Sequence, residues 1–205
     1  MRGLWILLIA AACSAGASAQ PVADEKPRFG VTPNYDLYPQ TTPKAALETA
    51  IKLLENNRYD YFLAHVVDPD VLQAKIADRA ARLEPEVEKQ LLRKRDEQKR
   101  APELVSARDR LPVEPKEFAL VVTAEAANRS FRYVVEDLKA QLAEYPENLG
   151  AFRKFLAEGQ VADAGATASF THKDSPGKSL YLKNNGKRWY LEDRQTDEPK
   201  PMPGK

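Results

Sequence analysis

Apolar residues recur at helical spacing from about residue 43 to residue 156, and the period then drops to two near residue 164. Thr42 followed by Pro43 marks a helix start, because a threonine side chain can cap the first amides and proline fits the first helical position. Leu47, Ala50, Ile51 and Leu54 then share one face, and Asn56-Asn57 suits a left-handed stop. A short helix over Tyr59 to Val66 follows. Asp68-Pro69 repeats the cap-plus-proline signature and opens a third helix whose buried stripe is Leu72, Ile76, Ala80 and Leu83. Pro85 reads as the start of another helix, to Arg100, with Val87, Leu91 and Leu92 as a narrow apolar stripe laid on the body. Residues 101–115 carry three prolines and read as a connector with room for one helical turn.

Phe131, Val134, Val135, Leu138 and Leu142 form an amphipathic helix, which Pro146 ends. The run Phe118 to Val122 before it fits a buried strand or the first turns of that helix; periodicity does not decide between them. Leu149, Phe152, Phe155 and Leu156 make one more short helix, stopping at Gly159. Alternation from Ala164 to Phe170 predicts a strand, and Ser175-Pro176-Gly177 a turn. Asn185-Gly186 between Leu180/Leu182 and Trp189/Leu191 is a hairpin signal. A two-residue turn there sets Leu182 opposite Trp189 and Leu180 opposite Leu191. It also pairs Tyr181 with Tyr190 on the other face and leaves Lys183 and Arg188 together in water. Trp189 is expected to pack on the helix from Phe131 to Leu142. The predicted class is α+β, with N-terminal helices packed on a C-terminal antiparallel meander of three or more strands.

Met1 to Ala19 adds a destination. Arg2, the apolar run Leu4 to Ala12 and the small residues Ala17-Ser18-Ala19 make an export signal, too short to span a bilayer at ~20 residues. Cleavage before Gln20 gives a periplasmic or extracellular chain. A lipoprotein anchored through Cys13 is the competing outcome, and the only route to stable membrane attachment. Cys13 is the single cysteine of the chain, so the processed protein must rely on an apolar core rather than disulfides. Residues 20–40 read as a disordered or extended lead, 41–195 as a single domain, and the Pro-rich 196–205 as a disordered tail.

Charge narrows the partners. With 31 Lys and Arg against 30 Asp and Glu, the chain lacks the overall field that draws proteins to nucleic acid. An unidentified protein or a small apolar ligand is the expected partner. Two histidines far apart and no thiol after processing give no zinc set, and no cofactor motif appears.

The pattern of helices followed by a meander resembles the NTF2-like (cystatin-type α+β cone) superfamily. Thr42-Pro43, Tyr59-Asp60-Tyr61-Phe62-Leu63 and the last strand Gly186-Lys187-Arg188-Trp189-Tyr190-Leu191-Glu192-Asp193 carry the likeness. The combination also resembles short exported proteins of planctomycete bacteria. Against that family, residues 84–116 are an insertion made of a charged helix and a proline-rich connector. The resemblance implies a cone whose pocket would be lined by Tyr59, Asp60, Phe62, His65, Tyr133, Tyr181 and Trp189, with His172 a further candidate. It allows an isomerase- or dehydratase-type activity on a small hydrophobic substrate, using Asp60 or an Asp60–His65 pair beside a tyrosine. The plainer reading makes Asp60 a helix cap, His65 a half-buried histidine and the tyrosines core edges. Three functions follow: a non-catalytic exported domain for binding or envelope structure, the cone-type enzyme, or an interaction adaptor working through helix 84–100.

Overall fold

Thr42 and Asp68 cap their helices as expected: Thr42 Oγ1 accepts from the Ala45 amide at 3.1 Å and Asp68 Oδ1 from the Asp70 amide at 3.1 Å. The computed structural model describes residues 26–175 and 177–193. Among these, α1 is Pro43–Glu55, α2 Tyr59–His65, α3 Pro69–Arg100, α4 Pro115–Glu144 and α5 Glu147–Glu158. The strands β1 (Gln160–Asp163), β2 (Thr167–Thr171), β3 (Ser179–Asn184) and β4 (Trp189–Leu191) follow, paired antiparallel in sequence order. The fold is α+β, mostly N-terminal helices packed against a C-terminal four-stranded meander. The export signal and the 196–205 tail lie outside the described residues.

Ala168, Phe170, Leu182, Trp189 and Leu191 on one sheet face join Leu47, Leu53, Leu63 and Ile76 of the helices in the main core. The helix that β4 runs closest to is α1, and Trp189 shares the main core with Phe131 of α4. The hairpin register also differs. Asn184 pairs with Trp189 and Leu182 with Leu191, which leaves Asn185 to Arg188 as a four-residue loop. The reason is Asn185: its Oδ1 accepts from the Lys187 and Arg188 amides at 3.1 and 2.9 Å, a side-chain turn that needs the longer loop. A shift of two residues preserves every face, so the apolar side survives the slip. Tyr181 is no longer opposite Tyr190, and Arg188 is buried rather than in water. The expected strand over 164–171 is shortened to 167–171, because Gly165 (φ 81°) turns the chain, and residues 160–163 before that turn pair back as a further strand, β1.

The larger surprise is helical. Residues 69–100 form one helix of 32 residues through Pro85, and 118–122 are its partner's first turns. Pro85 removes one internal hydrogen bond, a cost of ~3 kcal/mol, but packing on both sides of it opposes a break. Ala80 before it and Val87 and Leu91 after it meet Phe118, Val122 and Ala126 of α4 in a second apolar core. The stripe assigned to the body therefore lies on α4, and residues 84–116 are the far half of an antiparallel helical hairpin. At ~1.5 Å per residue α3 spans ~48 Å.

Candidate functional site

The residues expected to line one pocket are dispersed. Asp60 and His65 are five positions apart on a single helix, roughly 140° around its axis, and cannot face one cavity. Asp60 points outward toward Arg58 at 3.6 Å, whereas His65 is 1% exposed. Phe62, Tyr181 and Trp189 are buried. Tyr59 lines an open cleft of about 620 Å³ with Leu54, Leu142 and Leu149, and its hydroxyl donates to Asn57 Oδ1 at 2.7 Å. Tyr133 is exposed on α4, with the Arg79 guanidinium 5.8 Å from its ring centre. His172 is buried at the end of β2, its Nδ1 accepting from the Asp174 amide at 3.2 Å and its Nε2 3.4 Å from Glu158.

What fills the region around His65 is the segment before α1. Its described part, from residue 26, is packed and hydrogen-bonded rather than a disordered or extended lead. Phe29 stacks on Phe131 with ring centres 4.6 Å apart, and Arg28 Nη1 donates to the Ala64 carbonyl at 2.6 Å. The Val31 carbonyl lies 2.9 Å from His65 Nε2; a carbonyl only accepts, so Nε2 carries the proton. Gln40 Nε2 donates to the His65 carbonyl at 2.7 Å, and the Gln40 carbonyl accepts from the Trp189 amide at 3.0 Å. The Asn34 amide donates to the Tyr61 hydroxyl at 2.7 Å. Burial raises the Tyr61 phenol above its ordinary value, against the opposing Asn34 amide.

Aromatic stacking completes the strap. Tyr38 lies 4.6 Å from Tyr61, Tyr61 lies 4.8 Å from His65, and Tyr35 meets His65 edge-on at 6.2 Å. Arg188 closes the stack with its guanidinium 3.2 Å from the Tyr35 ring centre. The polar groups here tie the strap to α2 through side-chain to backbone hydrogen bonds. Beside it, Lys183 reaches Asp70 at 3.1 Å and Asp68 at 3.5 Å, tying β3 to the start of α3. The Asp70 hydrogen bond is the main cause holding the Lys183 ammonium above its usual value.

The far half of the α3–α4 hairpin is built differently. Its loop is pinned by Gln98, which donates to the Asp109 carbonyl and accepts from the Leu111 amide, both at 2.9 Å. Leu104, Val113 and Leu120 are nevertheless 81, 72 and 71% exposed. Between Arg93 and Arg110 there are seven Lys and Arg against four Asp and Glu, a local positive excess that the whole-chain balance conceals. Along one side runs a groove of about 550 Å³, floored by Leu92, Phe118 and Val122 and edged by Glu84, Glu88 and Arg95. Arg95 lies over the Phe118 ring at 4.4 Å, and its buried Nε has no hydrogen-bond partner among the described residues.

Among the described residues there is no group of three or more His, Cys, Asp or Glu placed to hold a metal, and no helix long and apolar enough to cross a membrane. No family model, curated protein or solved structure matches this chain.

Proposed function

We propose that this is an exported, non-catalytic protein-binding domain whose distal α3–α4 hairpin is the docking arm, so that the adaptor role joins the binding role. One observation carries the proposal. Leu104, within the basic stretch of residues 93–110, and Leu120 on the facing helix lie exposed on a helical arm that has its own small core. Large apolar side chains rimmed by charge are the usual composition of a protein contact. The excess of Arg and Lys suits a partner surface that is acidic. On this view the NTF2-like frame supplies a rigid base, and the strap covers His65, one of the residues that the resemblance assigns to a pocket. The separation of Asp60 from His65 supports a non-catalytic role.

A photo-crosslinking residue placed at Leu104 or Leu120 in the native host tests the proposal. The expected result is a discrete protein adduct at both positions and none at Val161, an exposed site on β1. Equal labelling at all three positions, or none at the arm, would overturn it.

A further inference from the structure

We propose that the groove along the distal hairpin pairs with the same groove of a second copy, forming an antiparallel four-helix contact. The motive is a self-complementary charge pattern on α3. Glu84, Glu88, Leu92, Arg95 and Lys99 fall within an arc of roughly 80° at 100° per residue. Acids sit at one end of this stripe, bases at the other, and Leu92 between them. A two-fold axis crossing the hairpin between Leu91 and Leu92 lays α3 antiparallel on α3 of the copy. Glu88 then faces Arg95 of the second copy, Glu84 faces Lys99, and each contact occurs twice.

The groove fits this occupant. Its α4 wall offers Ala119 and Thr123, small side chains that permit close helix approach. Leu92 and Phe118 supply an apolar centre, and the half-buried Arg95 guanidinium at the groove edge gains a carboxylate. A foreign helix would have to carry the reverse order of charges, which a second copy already does. The pairing uses neither Leu104 nor Leu120, so it stands or falls separately from docking at the tip.

Sedimentation velocity on the processed chain, with circular dichroism to verify folding, tests the pairing. The wild type is expected to dimerise. Glu88→Arg and Arg95→Glu should each weaken self-association by at least about a hundredfold, since each places like charges together twice. An equimolar mixture of the two should restore the dimer, because both contacts then again set an arginine against a glutamate. Should Arg95→Glu perturb folding through loss of its Phe118 contact, Glu84→Lys mixed with Lys99→Glu makes the same test away from the Phe118 ring. A wild type that remains monomeric at its highest soluble concentration would overturn the proposal. So would single variants that still dimerise, or a mixture that does not. Loss of tip crosslinks with the dimer intact would count against the docking arm alone.

Discussion

Around α2, the side chains that look most reactive are enclosed: His65 and Tyr61 are bound to the strap and buried. Around the far end of α3 and α4 the reverse holds, and three large apolar side chains face solvent while a small core beneath them keeps the helices together. The first region has turned titratable groups into structure. The second has kept surface that the fold does not need covered for its own sake. A histidine beside a tyrosine is therefore weaker evidence of chemistry than an exposed leucine on a braced arm is of contact.

The largest expected effect separates the two cores. Trp189→Ala should cost roughly 3–5 kcal/mol of global stability, as emptying a large aromatic core site does. Leu91→Ala should cost about 2–3 kcal/mol, at the low end for such truncations, and the loss should fall on the arm. Chemical denaturation followed by Trp189 fluorescence with Leu91→Ala checks this; an equal fall in body stability would merge the two regions into one.

Next comes the clamp. His65→Ala removes the Val31 contact and a buried ring, and should cost roughly 2–3 kcal/mol, the scale of a buried polar partner lost. Asp60→Asn breaks only a surface ion pair and should cost less than about 1 kcal/mol. Thermal unfolding of the pair measures the difference; equal effects would mean that the strap does not depend on His65.

Tyr61→Phe is smaller, about 1–2 kcal/mol, because the Asn34 amide loses its acceptor. The same hydroxyl sets an alkaline limit. A phenol whose folded value lies above the unfolded value of ~10 contributes stability that is fully present below that pH. It is lost as pH rises through the folded value, when the unfolded state releases its proton first. The wild type should lose stability above about pH 10 more steeply than Tyr61→Phe, as alkaline denaturation curves would reveal; parallel curves would refute the assignment.

Much of the body was legible because its signals are local. Thr42-Pro43, Asp68-Pro69 and the left-handed Asn57 set helix ends where expected, and alternation placed the sheet's apolar face. The failures have one physical character: a long-range contact outweighed a local signal. Pro85 reads as a helix start until α4 is there to brace it. Asn185-Gly186 reads as a two-residue turn until the Asn185 side chain takes two amides. The strap carries no period at all, since Phe29, Tyr35, Tyr38 and Gln40 are positioned by partners that lie 23 to 153 residues away. Of the candidate site, the sequence identified residues that matter to stability but assigned them to one cavity, an error that the 140° separation of Asp60 and His65 could have exposed. Leu104 and Val113 carry no signal in a connector, and Leu120 sits in a run that reads as buried, until the helices on either side are known to pack together.

Hydrogen exchange on the wild-type chain, at concentrations where it is monomeric, tests the division of the molecule most directly. Amides of residues 87–99 and 118–125 should exchange through a local opening of lower free energy, while those of 47–54, 61–66 and 180–182 stay protected until global unfolding. If both sets exchange together in one cooperative event, the arm has no core of its own in the energetic sense, and the contrast between a closed body and a separable arm is wrong.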